Sequence, residues 1–483
     1  MIQISNLKSA KVFYFFEEIS KIPRPSFHEK AISEYLVKFA KDRNLDVRVD
    51  EVYNVVIKKP ATKGYENAPT IAIQGHTDMV CEKNKGVEHD FLNDPIKLIY
   101  EGDFIKADRT TLGSDNGIAV AMALAILDSD DISHPSIEAI FTASEESGME
   151  GVSFLDTNDL KSSILLNIDS DEEGIFTVGC AGGVKTNINI PIKYEDTDNN
   201  YESYCIGVYG LTGGHSGIDI NKGRANSNKL LVRTLNTLSK DIDFSLNKIE
   251  GGAKDNAIPR EAEAIISIDN KNISLLEQKL KNIEGTYKSE HSSTDPNLSI
   301  KIQKVEKQKK SFVKEDFNKI ITSIMILPNG VQTVSTEIEG LTESSINLGV
   351  VNTNDEGVEI IASIRSAIVS KKELIMEQVQ LFINSIGGKI DFRGDYPAWE
   401  YNKNSIIREK CINVYKSMYG KEPELQIIHA GLECGLLSQK MPNVDLISFG
   451  PNLYDIHTPD EKASISSIDR VWKFLLNLLK EIN

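Results

Sequence analysis

Histidine is scarce in this sequence and carboxylates are plentiful: 8 His against 71 Asp and Glu. The few imidazoles therefore carry information by their position. His76 and Asp78 frame a His-x-Asp triplet just after the apolar run Thr70–Gln74 (TIAIQ). Residues i and i+2 of an extended chain share a face. Asp78 can then accept the second imidazole N–H of His76, fixing its tautomer and strengthening it as a ligand. The plain alternative is a His and an Asp that only cap a strand end, since so short a pattern recurs by chance. Glu145 and Glu146 follow a second apolar run, Ile137–Thr142 (IEAIFT). Strand neighbours point to opposite faces, so both serve one site only if the chain turns there, and Ser144 and Ser147-Gly148 supply turn residues. One Glu would then bind metal and the other would act on a water as general base. Otherwise the pair is a solvated acidic turn. Asp169 ends a third apolar run, Ile164–Ile168 (ILLNI).

Asp115 stands in Gly113-Ser114-Asp115-Asn116-Gly117, ahead of the uncharged run Gly117–Leu127. It is either a helix N-cap or turn residue, or a carboxylate bridging two metal ions about 3.5–4 Å apart. Histidine and carboxylates without thiolate suit Zn²⁺, Mn²⁺ or Co²⁺. A second histidine is needed to balance His76. His28, His89, His134 and His291 lie in polar or turn-like contexts and read as surface residues. His457 follows a strand end and turn, Ser448–Asn452, and precedes Thr458-Pro459, which makes it the best candidate. His429, in His429-Ala430-Gly431-Leu432-Glu433, is the other, read as nearer to substrate than to metal.

These residues need elements to hold them. Short, nearly continuous apolar strands interleaved with the helices Lys30–Arg43 and Gly117–Leu127 imply an open α/β sheet buried on both faces. Such sheets build their sites at the carboxyl ends of strands, where His76, Glu145 and Asp169 stand. Residues 187–203 are polar with no clear period, and strands and amphipathic helices resume to about residue 395. Examples are the strands Tyr204–Tyr209 and Ala262–Ile268 and the helices Ile273–Ile283 and Lys372–Ile386. Lys304–Lys314 reads as a solvated charge run. The last helix, Ser467–Ile482, lines Ile468, Val471, Trp472, Leu475, Leu476 and Leu479 on one face. The expected organisation is an α/β catalytic domain in two parts, 1–186 and 397–483, interrupted by an α+β insertion at 187–396. The C-terminal part must return if His457 is to meet His76.

Composition narrows the function classes. Over 483 residues, 54 Lys and Arg leave a formal charge of −17, unsuited to nucleic acid and repelled by anionic membranes. The 5 cysteines are scattered, with no CxxC pair, which argues against a disulfide scaffold and for a reducing compartment. The first residues lack a signal-peptide pattern, and Gly117–Leu127 falls well short of the roughly 20 residues of a membrane span. A soluble cytoplasmic protein is expected.

The ordered set His76, Asp78, Asp115, Glu145-Glu146, Asp169 and His457 resembles the M20 di-zinc metallopeptidases, which include carboxypeptidase G, aminoacylase and the carnosinases. The stretches GHTDMV, LGSDNGIAVAMAL, ASEESGMEG, NIDSDEEGIFTVGCAGG, GLTGGHSGIDINKGRANSNKLLVR, NAIPREA, HAGLECG and FGPNLYDIHTP, spread from residue 75 to 459, are similar to its aminoacyl-histidine dipeptidase branch. The resemblance implies a zinc-peptidase catalytic domain, with a mixed, mostly parallel sheet flanked by helices, interrupted by a lid and dimerisation domain. It implies two Zn²⁺ per subunit, with Mn²⁺ or Co²⁺ as substitutes, and a homodimer formed through the lid. His76 and Asp169 would hold one zinc, Glu146 and His457 the other, and Asp115 would bridge them. Asp78 would orient His76, and Glu145 would be the general base. His215 matches a histidine that reaches into the partner subunit's site, while Asn256 and Arg365 match substrate contacts. The Arg-Glu-Gly-Gly-Ser type loop of many relatives is absent, and the His429–Glu433 segment stands in its place, with Gly431 as its substrate contact. The activity implied is hydrolysis of unblocked dipeptides, Xaa-His included. The rival activities are N-acyl-amino-acid amidohydrolase and carboxypeptidase, and a third reading is a non-catalytic dimeric binding paralogue.

Overall fold

A computed structural model describes residues 4–338 and 340–483. They form two compact units. The first takes the chain as far as Cys180, Tyr401–Ile427 and Leu432–Asn483; the second takes Ala181–Glu400 and Ile428–Gly431.

Among the described residues, the first unit holds an eight-stranded sheet in the order Asp46–Val49, Val55–Lys59, Ile137–Thr142, Ile71–His76, Ile164–Asn167, Asp445–Ser448, Ile175–Cys180, Glu424–Ile428. The four strands from Ile137–Thr142 to Asp445–Ser448 are parallel, and antiparallel pairs flank them. Every residue of Ile71–His76, Ile137–Thr142 and Ile164–Asn167 is buried. That is why these strands read as unbroken apolar runs rather than as alternation. The helix Ser114–Leu127 packs on the strand Ile71–His76 and on the helix Ala10–Ser20. Its contact with the strand is close enough to require Gly75: a Cβ there would stand 2.4 Å from Asn116 Oδ1 and 2.7 Å from Ala119 Cβ. The C-terminal segment returns as the strand Asp445–Ser448, in register with Ile164–Asn167. The final helix, Ile465–Glu481, then buries Ile468, Val471, Trp472, Phe474, Leu475, Leu478 and Leu479 in the same core. Leu476, expected on that face, is only half-buried. His134, expected at the surface, is fully buried. Its backbone pairs with Thr62 and its Nδ1 lies 2.7 Å from the Pro135 carbonyl, while its Nε2 is buried without a hydrogen bond.

The second unit is built on a nine-stranded sheet. Its path runs Ser299–Lys304, Tyr201–Tyr209, Ala262–Asp269, Phe244–Gly251, Thr342–Asn354, Gly357–Ser366, Gly182–Ile190, Lys389–Tyr396, with Gly330–Val334 paired beside Thr342–Asn354. The helices Ser227–Leu238, Lys314–Ile326 and Val369–Ser385 contribute Leu231, Leu235, Ile320, Ile324 and Val379 to its core. The polar stretch from 187 is not a linker: the strand Gly182–Ile190 runs through its start, with Ile188 and Ile190 buried and Asn187 and Asn189 half-exposed. Alternation of period two was present, but asparagine on the outer face disguised it. The charge run from 304 is likewise not solvated throughout. Lys310–Phe312 pairs with Tyr194–Asp196, and Ser311 and Phe312 are buried.

Candidate functional site

The chemistry-bearing residues of the first unit stand at the ends of its parallel strands or just beyond them. His76 closes the strand Ile71–His76. Its Nε2 lies 3.0 Å from Asp115 Oδ1 and 3.6 Å from Asp169 Oδ1. Its Nδ1 is 3.3 Å from Asp78 Oδ1, within ion-pair reach but outside hydrogen-bond geometry. The second oxygen of Asp115 lies 3.2 Å from His457 Nε2, and that nitrogen is 3.1 Å from Glu146 Oε1. Two imidazoles and three carboxylates thus converge around Asp115, each of whose oxygens faces a different ring. The ligand atoms of His76, Asp115 and Glu146 lie within 4.8 Å of one another. His429 belongs to the other unit and is not among them.

Local structure explains the convergence. Ser144 has φ of 53°, turning the chain immediately before Glu145, and Glu29 Oε1 accepts both its N–H (2.8 Å) and its hydroxyl (2.7 Å). Asp78 then gathers the result: Oδ1 accepts from Glu145 N at 3.0 Å, while Oδ2 accepts from Glu146 N at 3.2 Å and from Ser26 Oγ at 2.7 Å. The Asp115 loop is fixed from two sides. Glu461 accepts from the backbone N–H groups of Leu112, Gly113 and Ser114 and from the Ser114 hydroxyl. The buried guanidinium of Arg24 donates to the carbonyls of Thr77, Asp78 and Gly113 at 2.9, 3.0 and 2.6 Å, tying the His76 loop to the Asp115 loop. Gly113 (φ 70°) is required there, since a Cβ would stand 2.5 Å from the Arg24 guanidinium. Asn116 Nδ2 donates to the Ile168 carbonyl at 2.6 Å, next to Asp169. Arg24, Ser26, Glu29 and Glu461 escaped the sequence reading. Arg24, Glu29 and Glu461 serve backbone groups and Ser26 serves the Asp78 carboxylate, and no residue spacing advertises such service.

The electrostatics describe a centre short of positive charge. Burial pushes Asp169 well above the usual carboxylate range, and Asp115, Glu145 and Glu433 add to this against the opposing pull of His76. Burial, opposed by His76 and reinforced by Glu433, Glu146 and Asp115, pushes Glu145 up to about 8. Burial also raises Asp115 and Asp78, but the neighbouring imidazoles outweigh it and hold both low, with hydrogen bonds from Ser26 and the Glu145 N–H helping at Asp78. His457 is drawn up to about 10 by Asp115 and Glu146. His76 is raised as well, its carboxylate partners overcoming the cost of burial. The carboxylates around them pull the imidazoles towards the cationic form. Glu146 Oε1 is moreover buried without a hydrogen bond. Nitrogen and hard oxygen donors around a cation deficit fit divalent metal ions.

The remaining sequence candidates lie in the second unit. His215 is in the short strand Gly214–His215, paired with Ala257–Ile258. Its Nδ1 accepts from the N–H groups of Gly217 and Ile218, both at 3.2 Å, which leaves Nε2 to carry the proton. Arg365, on the strand Gly357–Ser366, donates to Tyr396 Oη at 2.8 Å, and its Nε is buried without a hydrogen bond. His429 Nε2 lies 2.7 Å from Ser345 Oγ. Burial, with Arg365 and His215 in support, brings His429 down to about 4; burial and Arg365 also lower His215. Asn256 is exposed, and its carbonyl accepts from Ser216 N at 2.9 Å. Gly431 is half-buried at the end of the segment Ile428–Gly431.

Comparison with known proteins agrees with this picture. Residues 206–295 match the M20 peptidase dimerisation domain. The chain is 38% identical over 482 residues to the cytosol non-specific dipeptidase of Escherichia coli, covering 100% of this chain and 99% of that protein. The crystal structure of aminoacylhistidine dipeptidase from Vibrio alginolyticus superposes with a TM-score of 0.95 at 38% identity, covering 100% of this chain and 98% of that one. Aminopeptidase PepT from Bacillus cereus, at 16% identity, 99% coverage of each chain and a TM-score of 0.57, shares the fold. Fold and site together define a peptidase. The chain belongs to the M20 peptidase family, in its branch of cytosol non-specific, or aminoacylhistidine, dipeptidases. No helix among the described residues is long and apolar enough to cross a membrane.

Proposed function

We propose that this chain hydrolyses the peptide bond of unblocked dipeptides, Xaa-His among them, with two divalent cations per subunit. Zn²⁺ is the first choice, and Mn²⁺ or Co²⁺ would substitute. The observation that carries this reading is Asp115, whose two oxygens face His76 and His457 at 3.0 and 3.2 Å. In this reading His76 and Asp169 serve one cation, Glu146 and His457 the other, and Asp115 both. The cations, when bound, supply Lewis acidity to the scissile carbonyl and lower the pKa of the attacking water.

The chain's own residues move the protons and hold the geometry. Glu145 takes the proton of the attacking water on its carboxylate and delivers it to the leaving amine. A buried carboxylate with a raised pKa suits a group that must both accept and return a proton. Asp78 orients His76 and fixes the Glu145-Glu146 turn through two backbone N–H groups. Arg365 takes the substrate's terminal carboxylate. His215, presenting Nε2–H, stabilises the oxyanion in the partner subunit's site, and Asn256 and Gly431 complete the substrate contacts. Residues 1–186 and 397–483 act as the catalytic domain and 187–396 as the lid, through which two copies form a homodimer working in the cytoplasm.

The test is to strip the protein with a chelator, restore Zn²⁺, Mn²⁺ or Co²⁺ singly, and assay Gly-His, β-Ala-His, Leu-Gly, acetyl-His and a tripeptide. Metal-restored cleavage of the free dipeptides is expected. Preference for acetyl-His over Gly-His would make the chain an N-acyl-amino-acid amidohydrolase instead, and preference for the tripeptide a carboxypeptidase.

A further inference from the structure

Beyond the five converging side chains, the first unit buries a further carboxylate, that of Glu433, against the strands that carry them. Glu433 opens the helix Glu433–Lys440 and is 0% exposed. Among the described residues no Lys or Arg pairs with it. Its Oε2 accepts from Gln74 Nε2 at 2.6 Å and from Thr142 Oγ1 at 2.7 Å. Its Oε1 is buried with no hydrogen bond. Burying a carboxylate without a counter-charge is expensive, so its presence calls for a reason.

Its partners supply one. Gln74 lies two residues before His76 on the same strand face, and Asn167 two before Asp169. Gln74 and Asn167 are opposed in the ladder, and Asn167 Nδ2 donates to Gln74 Oε1 at 2.5 Å. Thr142 is opposed to His76 and lies three residues before Glu145. Its carbonyl accepts from the N–H and hydroxyl of Thr77 at 2.8 and 2.9 Å. The strands that deliver His76, Glu145-Glu146 and Asp169 are therefore tied side chain to side chain, one pleat below their chemistry-bearing ends. The chain of hydrogen bonds terminates on Glu433.

A carboxylate accepts and cannot donate. Gln74 must therefore turn its NH₂ to Glu433 and its carbonyl to Asn167, and Thr142 must donate its hydroxyl. One acceptor-only residue sets the direction of the whole network. A neutral amide in its place could flip and release that constraint.

We propose that Glu433 is a positioning residue: its carboxylate locks the three ligand-bearing strand ends in place and sets negative charge beneath the cations, so that metal hold depends on a residue that is not a ligand. This rests on the two-cation reading above. Bound cations would supply the counter-charge that Glu433 lacks. Outer partners that orient ligands in this manner commonly govern 10–100-fold in metal affinity.

The experiment uses the full-length protein loaded with Co²⁺ and titrated with a competing chelator, comparing wild type with E433Q, which keeps shape and removes charge. E433Q is expected to hold Co²⁺ about 10-fold more weakly, to show an altered visible Co²⁺ spectrum at full occupancy, and to lose no thermal stability as the apo-protein. A role in packing alone would lower the apo midpoint and leave affinity and spectrum as in wild type; that result overturns the proposal. Should E433Q fail to fold, T142V removes one donor and keeps the charge. A several-fold loss of Co²⁺ hold supports the proposal, and wild-type hold overturns it. If wild type itself takes up no Co²⁺, the two-cation reading falls, and this inference with it, a failure visible without any variant.

Discussion

The two units put the same side chain under opposite pressure. In the first, His457 and His76 stand among carboxylates and are drawn towards the imidazolium, His457 to about 10. In the second, His429 and His215 stand near the Arg365 guanidinium and are driven towards the neutral ring, His429 to about 4. Burial lowers all four, so the sign of the neighbouring charge decides the outcome. One unit has assembled a deficit of positive charge and the other a cationic, hydrogen-bonding patch. In the proposed reading a metal ion would satisfy the first and a substrate carboxylate the second.

That contrast can be broken at either side. The largest effect belongs to the acidic centre. E145Q should lower kcat by about 10³-fold or more, within the range removal of a positioned acid–base group produces, with metal content as in wild type. Turnover within tenfold of wild type would remove Glu145 as the base. On the cationic side, R365A should raise KM for free dipeptides by about 10–100-fold, the loss of a charge-assisted hydrogen bond. Its KM for the same peptides carrying a C-terminal amide should hardly change, and an equal loss for both would end the assignment to the terminal carboxylate.

The smallest effect sharpens the histidine comparison itself. A free imidazole titrates near 6.5, whereas folded His429 does so at about 4. On acidification the unfolded chain therefore takes up this proton first. The contribution of His429 to stability is intact above pH 6.5 and is lost as pH falls from there towards 4, to a limit of about 3 kcal/mol. Urea unfolding of H429Q should show a shallower decline across that interval than wild type, and parallel curves would contradict the assignment.

Much of this was legible in the sequence, and what was not has physical reasons. Strands buried on both faces announce themselves as apolar runs, so Ile71–His76, Ile137–Thr142 and Ile164–Asn167 could be read directly. Side chains that stand at strand ends follow from that reading, which is how His76, Glu145 and Asp169 were found. The strand Gly182–Ile190 was missed because asparagines occupy its outer positions, and polarity there looks like a loop. Arg24, Glu29 and Glu461 were missed because their partners are backbone groups far away in sequence: Arg24 reaches Gly113, and Glu461 reaches Leu112 to Ser114. His134 was misread because the dipeptide His134-Pro135 reads as an exposed turn, whereas its backbone pairs with Thr62 and its Nδ1 with the Pro135 carbonyl inside the fold.

The central claim is that two imidazoles and three carboxylates share a pair of cations through Asp115. Metal analysis of Zn²⁺-loaded, extensively dialysed protein, wild type beside H457A and D115N, tests it most directly. The account requires two ions per chain in wild type, about one in H457A, and loss of both from D115N. One ion or none in wild type, or two retained in D115N, would contradict it.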